Sequence, residues 1–124
     1  MATQSSIDML QIAAAAADSK GAEDLVALDV SQPLPLVDIF LLATGRSERN
    51  VAAIADEIED KLLEAGHKCL RREGRSEARW VLLDFGDLVA HIFHQEERSF
   101  YALERLWKDC PVVPIDLPAT RPAD

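Results

Sequence analysis

The stretch WVLLDFGDLVAHIFH (80–94) leaves a folding chain few choices. Two runs rich in Val, Leu, Ile and aromatics flank Gly86-Asp87, a two-residue connection suited to a primed hairpin turn. Strands over 80–85 and 88–94 are therefore predicted to pair antiparallel. Side chains alternate between the two faces of a strand, so one face carries Val81, Leu83, Phe85, Leu88, Ala90 and Ile92. The other carries Trp80, Leu82, Asp84, Val89, His91 and Phe93. The first set is uniformly apolar and reads as core. The second reads either as a second covered face, with Asp84 and His91 satisfied as a cross-strand pair, or as an exposed docking face, because Trp among aliphatics is the usual make-up of interface hot spots.

The same stretch holds two motifs that suggest chemistry. Asp84-Phe85-Gly86 is the triplet with which kinases hold magnesium, but 124 residues without a Gly-rich loop, a strand lysine and a catalytic-loop Asp cannot form a kinase. His91-x-x-His94 looks like half a zinc site. On a strand, residues three apart lie roughly 10 Å apart on opposite sides, whereas zinc ligands all lie about 2 Å from one ion. His67 is too distant in sequence to complete a site, so no metal is expected.

Elsewhere the pattern alternates helix and strand. Residues 6–20 read as a helix capped by Ser5 or Ser6, with Ile7, Leu10, Ala14 and Ala17 on one face and Gly21 ending it. LVALDV (25–30) reads as a strand closed by the prolines of SQPLP, and VDIFLLATG (37–45) as a strand buried on both faces. SERNVAAIADEIEDKLLEAG (47–66) carries the clearest helical signal: Ser47 at the N-cap, the stripe Val51, Ile54, Ile58, Leu62, and Gly66 just past the end. HKCLRR (67–72) is a further strand, EGRSEA (73–78) a polar loop, and a last helix is expected over 97–107 with Phe100, Leu103 and Trp107 on one face. The tail from Cys110 contains four prolines and reads as irregular or extended. The order α-β-β-α-β-β-β-α predicts one domain of the α/β or α+β class, a mixed sheet of about five strands flanked by helices. Its limits are placed at 1–110, with a proline-rich tail over 111–124.

A net charge of −9 is the wrong sign for gripping bare nucleic acid through its phosphates; it favours association with basic partners. The two cysteines, Cys69 and Cys110, form no CxxC pair and read as reduced thiols of a cytoplasmic protein. The apolar stretch from Met9 to Ala17 has no Lys or Arg before it and contains Gln11, so it does not read as a signal peptide. Nothing approaches a membrane span of about 20 apolar residues. Gly45-Arg46-Ser47 enters a helix and resembles a phosphate cradle, with Asp29 and Asp38 as distant carboxylates. A nucleotidyl-transferring site, however, needs two carboxylates alternating on a neighbouring strand to hold magnesium, and no D-x-D or D-x-E stands there. There is no G-x-S-x-G for a serine nucleophile. Asp84 and His91 as an acid–base pair lack an implied substrate pocket.

Taken in order, ALDVS (27–31), DIFLLATGRSERNV (38–51), REG (72–74), WVLLDFGDLVAHIFH (80–94) and ERSFYALERLW (97–107) strongly resemble the ribosomal silencing factor (RsfS, Iojap-related) family. The resemblance covers roughly residues 5–109, with small departures such as Ala90 in place of a more familiar Val. It implies a nucleotidyltransferase-like topology without catalytic carboxylates, and a protein that is not an enzyme and needs no cofactor. It further implies binding to the large ribosomal subunit through ribosomal protein uL14, a steric block to joining of the small subunit, a part in large-subunit biogenesis, and a homodimer when free. Carried onto this chain, Trp80 becomes the partner-binding anchor, Leu82 fills beside it, and Asp84 meets a basic group. His91 and Phe93 extend the patch, and Glu73 and Gly74 form its rim. Two other readings stay open: a nucleotide-binding enzyme using Gly45–Ser47 with Asp29 or Asp38, and a dimeric adaptor with no ribosomal role.

Overall fold

The computed structural model describes residues 2–34, 36–74, 79–96 and 109–116. Helix α1 (Gln4–Ser19) precedes strands β1 (Glu23–Asp29) and β2 (Ile39–Gly45). Helix α2 (Glu48–Glu64) then leads to β3 (Arg71–Glu73), β4 (Trp80–Asp84) and β5 (Leu88–His94). The helix expected over 97–107 and the loop residues 75–78 lie outside the described residues. The strands form one five-stranded mixed sheet in the order β1-β2-β5-β4-β3. Only β2 and β5 run parallel. The result is a single α+β domain.

Helix α2 starts where its sequence says it should. Ser47 is extended (φ −150°) and its hydroxyl accepts the Asn50 N–H at 3.0 Å. The expected stripe of Val51, Ile54, Ile58 and Leu62 is fully buried, and each such side chain contributes about 1.5–3 kcal/mol relative to exposure. The helix stops in a Schellman motif: His67 N–H donates to Leu62 C=O at 2.7 Å and Gly66 N–H to Leu63 C=O at 2.9 Å. This explains why β3 is shorter than the expected 67–72. His67 is spent on the helix end, and β4 offers no partner beyond Asp84, which already faces Arg71.

Helix α1 begins two residues earlier than expected because Thr3, not Ser5 or Ser6, is the N-cap. Ser6 is instead buried, and its hydroxyl donates to Asp38 Oδ2 at 2.7 Å. Ile7 is only half-buried, while Met9, Ala13 and Ala16 join Leu10, Ala14 and Ala17 inside. The buried face is wide because α1 packs on both the sheet and α2.

Both helices cover one face of the sheet. Val81, Leu83, Phe85, Leu88, Ala90 and Ile92 all enter the large core beneath them, with Ile39, Leu41 and Ala43 of β2. The alternation read from the hairpin holds without a slip. Its turn is the tight one expected: Phe85 N–H meets Leu88 C=O at 2.9 Å, and Gly86 takes φ +92° at the first central position while Asp87 stays negative. At the opposite edge, Pro111–Val113 runs antiparallel along β1, with Asp29 N–H to Pro111 C=O and Val113 N–H to Ala27 C=O, both 2.8 Å. The first residues of the proline-rich tail thus cover the outer edge of β1. No described helix is long and apolar enough to cross a membrane.

Candidate functional site

The sheet face away from α1 and α2 is built from the alternate residues of the same strands. Directly paired residues project to the same side, and the register sets Trp80 beside Phe93, Leu82 beside His91 and Asp84 beside Val89. On the outer strand Glu73 pairs with Leu82 and Arg71 with Asp84. On the inner side Phe40, Leu42 and Thr44 of β2 pair with Val89, His91 and Phe93.

This face has two levels. Trp80, Leu82 and Asp84 are each half-buried, presenting one row to solvent. Beneath them His91 is 5% exposed and Phe93 0%. His91 and Phe93 therefore do not extend the exposed patch as the sequence reading had them, and that expectation is corrected. Strand β5 lies between β2 and β4, and a second apolar cluster closes over it: Leu28, Val30, Leu42 and Phe93, with Val37, Phe40, Trp80 and Cys110 packed against them. The Trp80 indole stacks on the Phe93 ring at 5.4 Å between centroids and 22°. The Phe40 ring meets His91 edge-on at 4.8 Å and 66°.

Polar contacts fix the row. Trp80 Nε1–H donates to His91 Nδ1 at 3.2 Å. Burial pushes the His91 pKa down to about 4, so the ring is neutral at physiological pH with Nδ1 free to accept. Asp84 Oδ1 accepts the Gly86 N–H at 2.8 Å and so braces the hairpin turn. A cross-strand Asp84–His91 pair does not form, because Leu82 and not Asp84 lies opposite His91.

Four of the seven residues singled out from sequence meet in one place: Glu73, Gly74, Trp80 and Leu82 line a shallow cleft of about 200 Å³. Gly74 is there because nothing larger fits. Its φ is +80°, and a Cβ would stand 1.8 Å from the Trp80 carbonyl oxygen. Glu73 at the rim is held by Arg71 Nε at 3.0 Å. Arg71 and Phe40 belong to this face and were missed in the sequence. The alternation of β2 could have exposed Phe40, but only once β2 was known to lie beside β5.

The other candidate chemistry comes apart. Asp29 and Asp38 stand at the opposite end of β2 from Gly45–Ser47, roughly 20 Å away at strand rise. Both carboxylates are engaged in holding the start of α1: Asp29 accepts from Ala2 N–H and Ser31, and Asp38 from Thr3 and Ser6. The Ser6 hydroxyl, with Thr3, holds the Asp38 pKa below the usual carboxylate value. Gly45 serves packing, since a Cβ there would come within 2.7 Å of Val51 Cγ2. His91 and His94 lie on β5 with the alternation that keeps them apart, and His94 Nδ1 accepts the Glu96 N–H at 3.1 Å. Among the described residues no three His, Cys, Asp or Glu side chains gather closely enough to hold a metal ion.

Comparison with known proteins places these features. The profile of the family described as "Ribosomal silencing factor during starvation" matches residues 3–124. The ribosomal silencing factor RsfS of Bacillus subtilis is 50% identical over 108 residues, covering 87% of this chain and 92% of that one. A mouse protein named for mitochondrial assembly of the ribosomal large subunit is 28% identical over 93 residues, covering 71% of this chain and 40% of that one. Crystal structures of proteins from Bacillus halodurans (44% identity, TM-score 0.78, 88% of this chain and 99% of that one) and Chromobacterium violaceum (31%, 0.80, 95% and 98%) share the fold.

Proposed function

The chain belongs to the ribosomal silencing factor family, and from that premise we propose that it represses translation by docking the Trp80 row on the large ribosomal subunit. The partner is ribosomal protein uL14, and the bound factor blocks joining of the small subunit sterically. It works without catalysis or cofactor, in the cytoplasm, is a homodimer when free, and also takes part in large-subunit biogenesis. The observation that carries this reading is a partly exposed Trp80 seated on buried Phe93 and His91, beside Leu82 and a cleft rimmed by Glu73 and Gly74. An aromatic anchor over a buried layer, edged by polar groups, is what interface hot spots are made of. The net charge of −9 suits fast association with a basic ribosomal protein, slowed by salt.

The nucleotide-binding alternative has no geometric support, because its carboxylates and its glycine turn sit at opposite ends of β2 and are already engaged. Sedimentation of the purified protein with separated large and small subunits tests the proposal. Co-migration with large subunits only, together with fewer joined ribosomes, is expected, and Trp80→Ala should lose both effects. A folded Trp80→Ala that still binds would move the site elsewhere. No binding to active subunits would remove the silencing reading altogether.

A further inference from the structure

Within the docking face, one buried residue calls for an explanation. His91 lies on the central strand β5, 5% exposed, with Phe40, Trp80 and Phe93 rings around it. Its Nε2 is buried and has no hydrogen-bond partner among the described residues. Because Nδ1 accepts from Trp80, the neutral ring must carry its proton on that orphaned Nε2. An unpaired buried donor costs stability, and an aliphatic side chain of similar size would not incur that cost. The residue is therefore poorly explained as packing alone. Its one polar engagement among the described residues is with the indole of Trp80.

We propose that His91 is a positioning residue for docking: its Nδ1 holds the Trp80 indole in one orientation, so that the ring stands ready over Phe93 before the partner arrives. Among the restraints on that ring, the stack on Phe93 at 5.4 Å and the hydrogen bond to His91 at 3.2 Å act from different directions. The stack sets the ring's plane, and the hydrogen bond sets which edge points inward. Trp80 also lines the cleft together with Leu82, Glu73 and Gly74. A side chain already held in its bound rotamer loses less freedom on association, which improves affinity without adding a contact. This inference rests on the reading of Trp80 as the docking anchor.

Three variants separate the possibilities in a binding titration against purified large subunits, beside thermal melting of each free protein. Trp80→Ala is expected to lose about thirtyfold or more in affinity. His91→Leu, which keeps the volume but removes the acceptor, should weaken binding about three- to tenfold while melting no lower than wild type. His91→Asn, whose Oδ1 falls near the position of Nδ1, should recover most of the loss. If His91→Leu binds like wild type while Trp80→Ala has lost binding, the anchor stands and the positioning role is overturned. If Trp80→Ala itself binds like wild type, the anchor falls and the positioning role with it. Weak binding by His91→Leu that tracks a lowered melting point, with no rescue by His91→Asn, would also overturn it. NMR of the wild-type protein decides the matter should His91→Leu fail to fold. The Trp80 indole N–H, assigned by its disappearance in Trp80→Phe, should exchange slowly, and His91 should be the Nε2–H tautomer. The Nδ1–H tautomer would refute the proposal.

Discussion

The two faces of the sheet are made from alternate residues of the same strands, yet they differ in composition and depth. Under the helices, Val81, Leu83, Ala90 and Ile92 are fully buried and aliphatic, without a polar side chain among them. On the opposite side, the same two strands carry an indole, an imidazole and a carboxylate, and the outermost row stays partly exposed. A face that serves only stability can minimise polar atoms. The proposed docking face has to keep an anchor at the surface and support it from below, and here the support includes a buried imidazole whose second nitrogen has no hydrogen-bond partner among the described residues. Stability and the proposed docking are thus separated by one residue of register. A slip of one residue in β4 would exchange them.

The contrast breaks most visibly if a helix-side residue proves dispensable. Ile92→Ala removes a fully buried side chain and should destabilise the fold by about 2–5 kcal/mol in urea titration. Leu82→Ala, on the half-exposed row, should cost about 1 kcal/mol or less. Equal costs would mean that the two faces are energetically alike.

Acid tests the buried imidazole next. In the unfolded chain a histidine titrates near 6.5, whereas in the fold burial lowers His91 to about 4. Between these values the unfolded state binds the extra proton, so this contribution is complete above pH 6.5 and is lost as pH falls toward 4. The loss amounts to roughly 3 kcal/mol over the window. Asp38, held below its ordinary pKa by Ser6 and Thr3, adds its own loss only below about pH 4, outside that window. Urea midpoints at pH 7 and pH 4.5 should therefore differ strongly in wild type and much less in His91→Leu. A wild-type midpoint indifferent to pH would show that His91 is not held neutral by burial.

Trp80→Ala sharpens the comparison from the docking side. Its effect should appear in binding, at about 2 kcal/mol or more, with a smaller loss of folding stability because the indole is only half-buried. If the variant unfolds instead, Trp80 belongs to the second core cluster first and to the interface second.

Much of this division was legible in the sequence, because alternation across a two-residue turn leaves only one way to sort residues 80–94 into faces. The stripe and both ends of α2 were legible for the same kind of local reason. Depth was not. Whether His91 and Phe93 reach the surface depends on β5 being central, with β2 parallel on one side and β4 on the other. That order is set by long-range pairing between segments about fifty residues apart, which no local pattern encodes. The start of α1 was misjudged for a similar reason: Ser6 is a plausible cap by itself, but Asp38, 32 residues away, takes its hydroxyl. The short β3 follows from the ending of α2 and the beginning of the β4–β5 turn, two events that only the folded chain brings together.

The rim should show the smallest effect on stability. Arg71 and Glu73 form an ion pair at 3.0 Å, but their side chains are 64% and 54% exposed. Water and salt screen such a pair, and holding two long side chains together costs entropy that offsets the attraction. Glu73→Gln should therefore shift folding stability by no more than about 0.5 kcal/mol. Binding is where this charge can matter. Glu73 lines the cleft beside Trp80 and belongs to an acidic protein, so removing it should slow association with a basic partner more than it speeds dissociation, and the difference should fade as salt is raised. Stopped-flow or surface-binding kinetics at two salt concentrations would read this directly. A change confined to the dissociation rate and insensitive to salt would instead place Glu73 inside the dry part of the interface, and the boundary between anchor and rim would have to move outward.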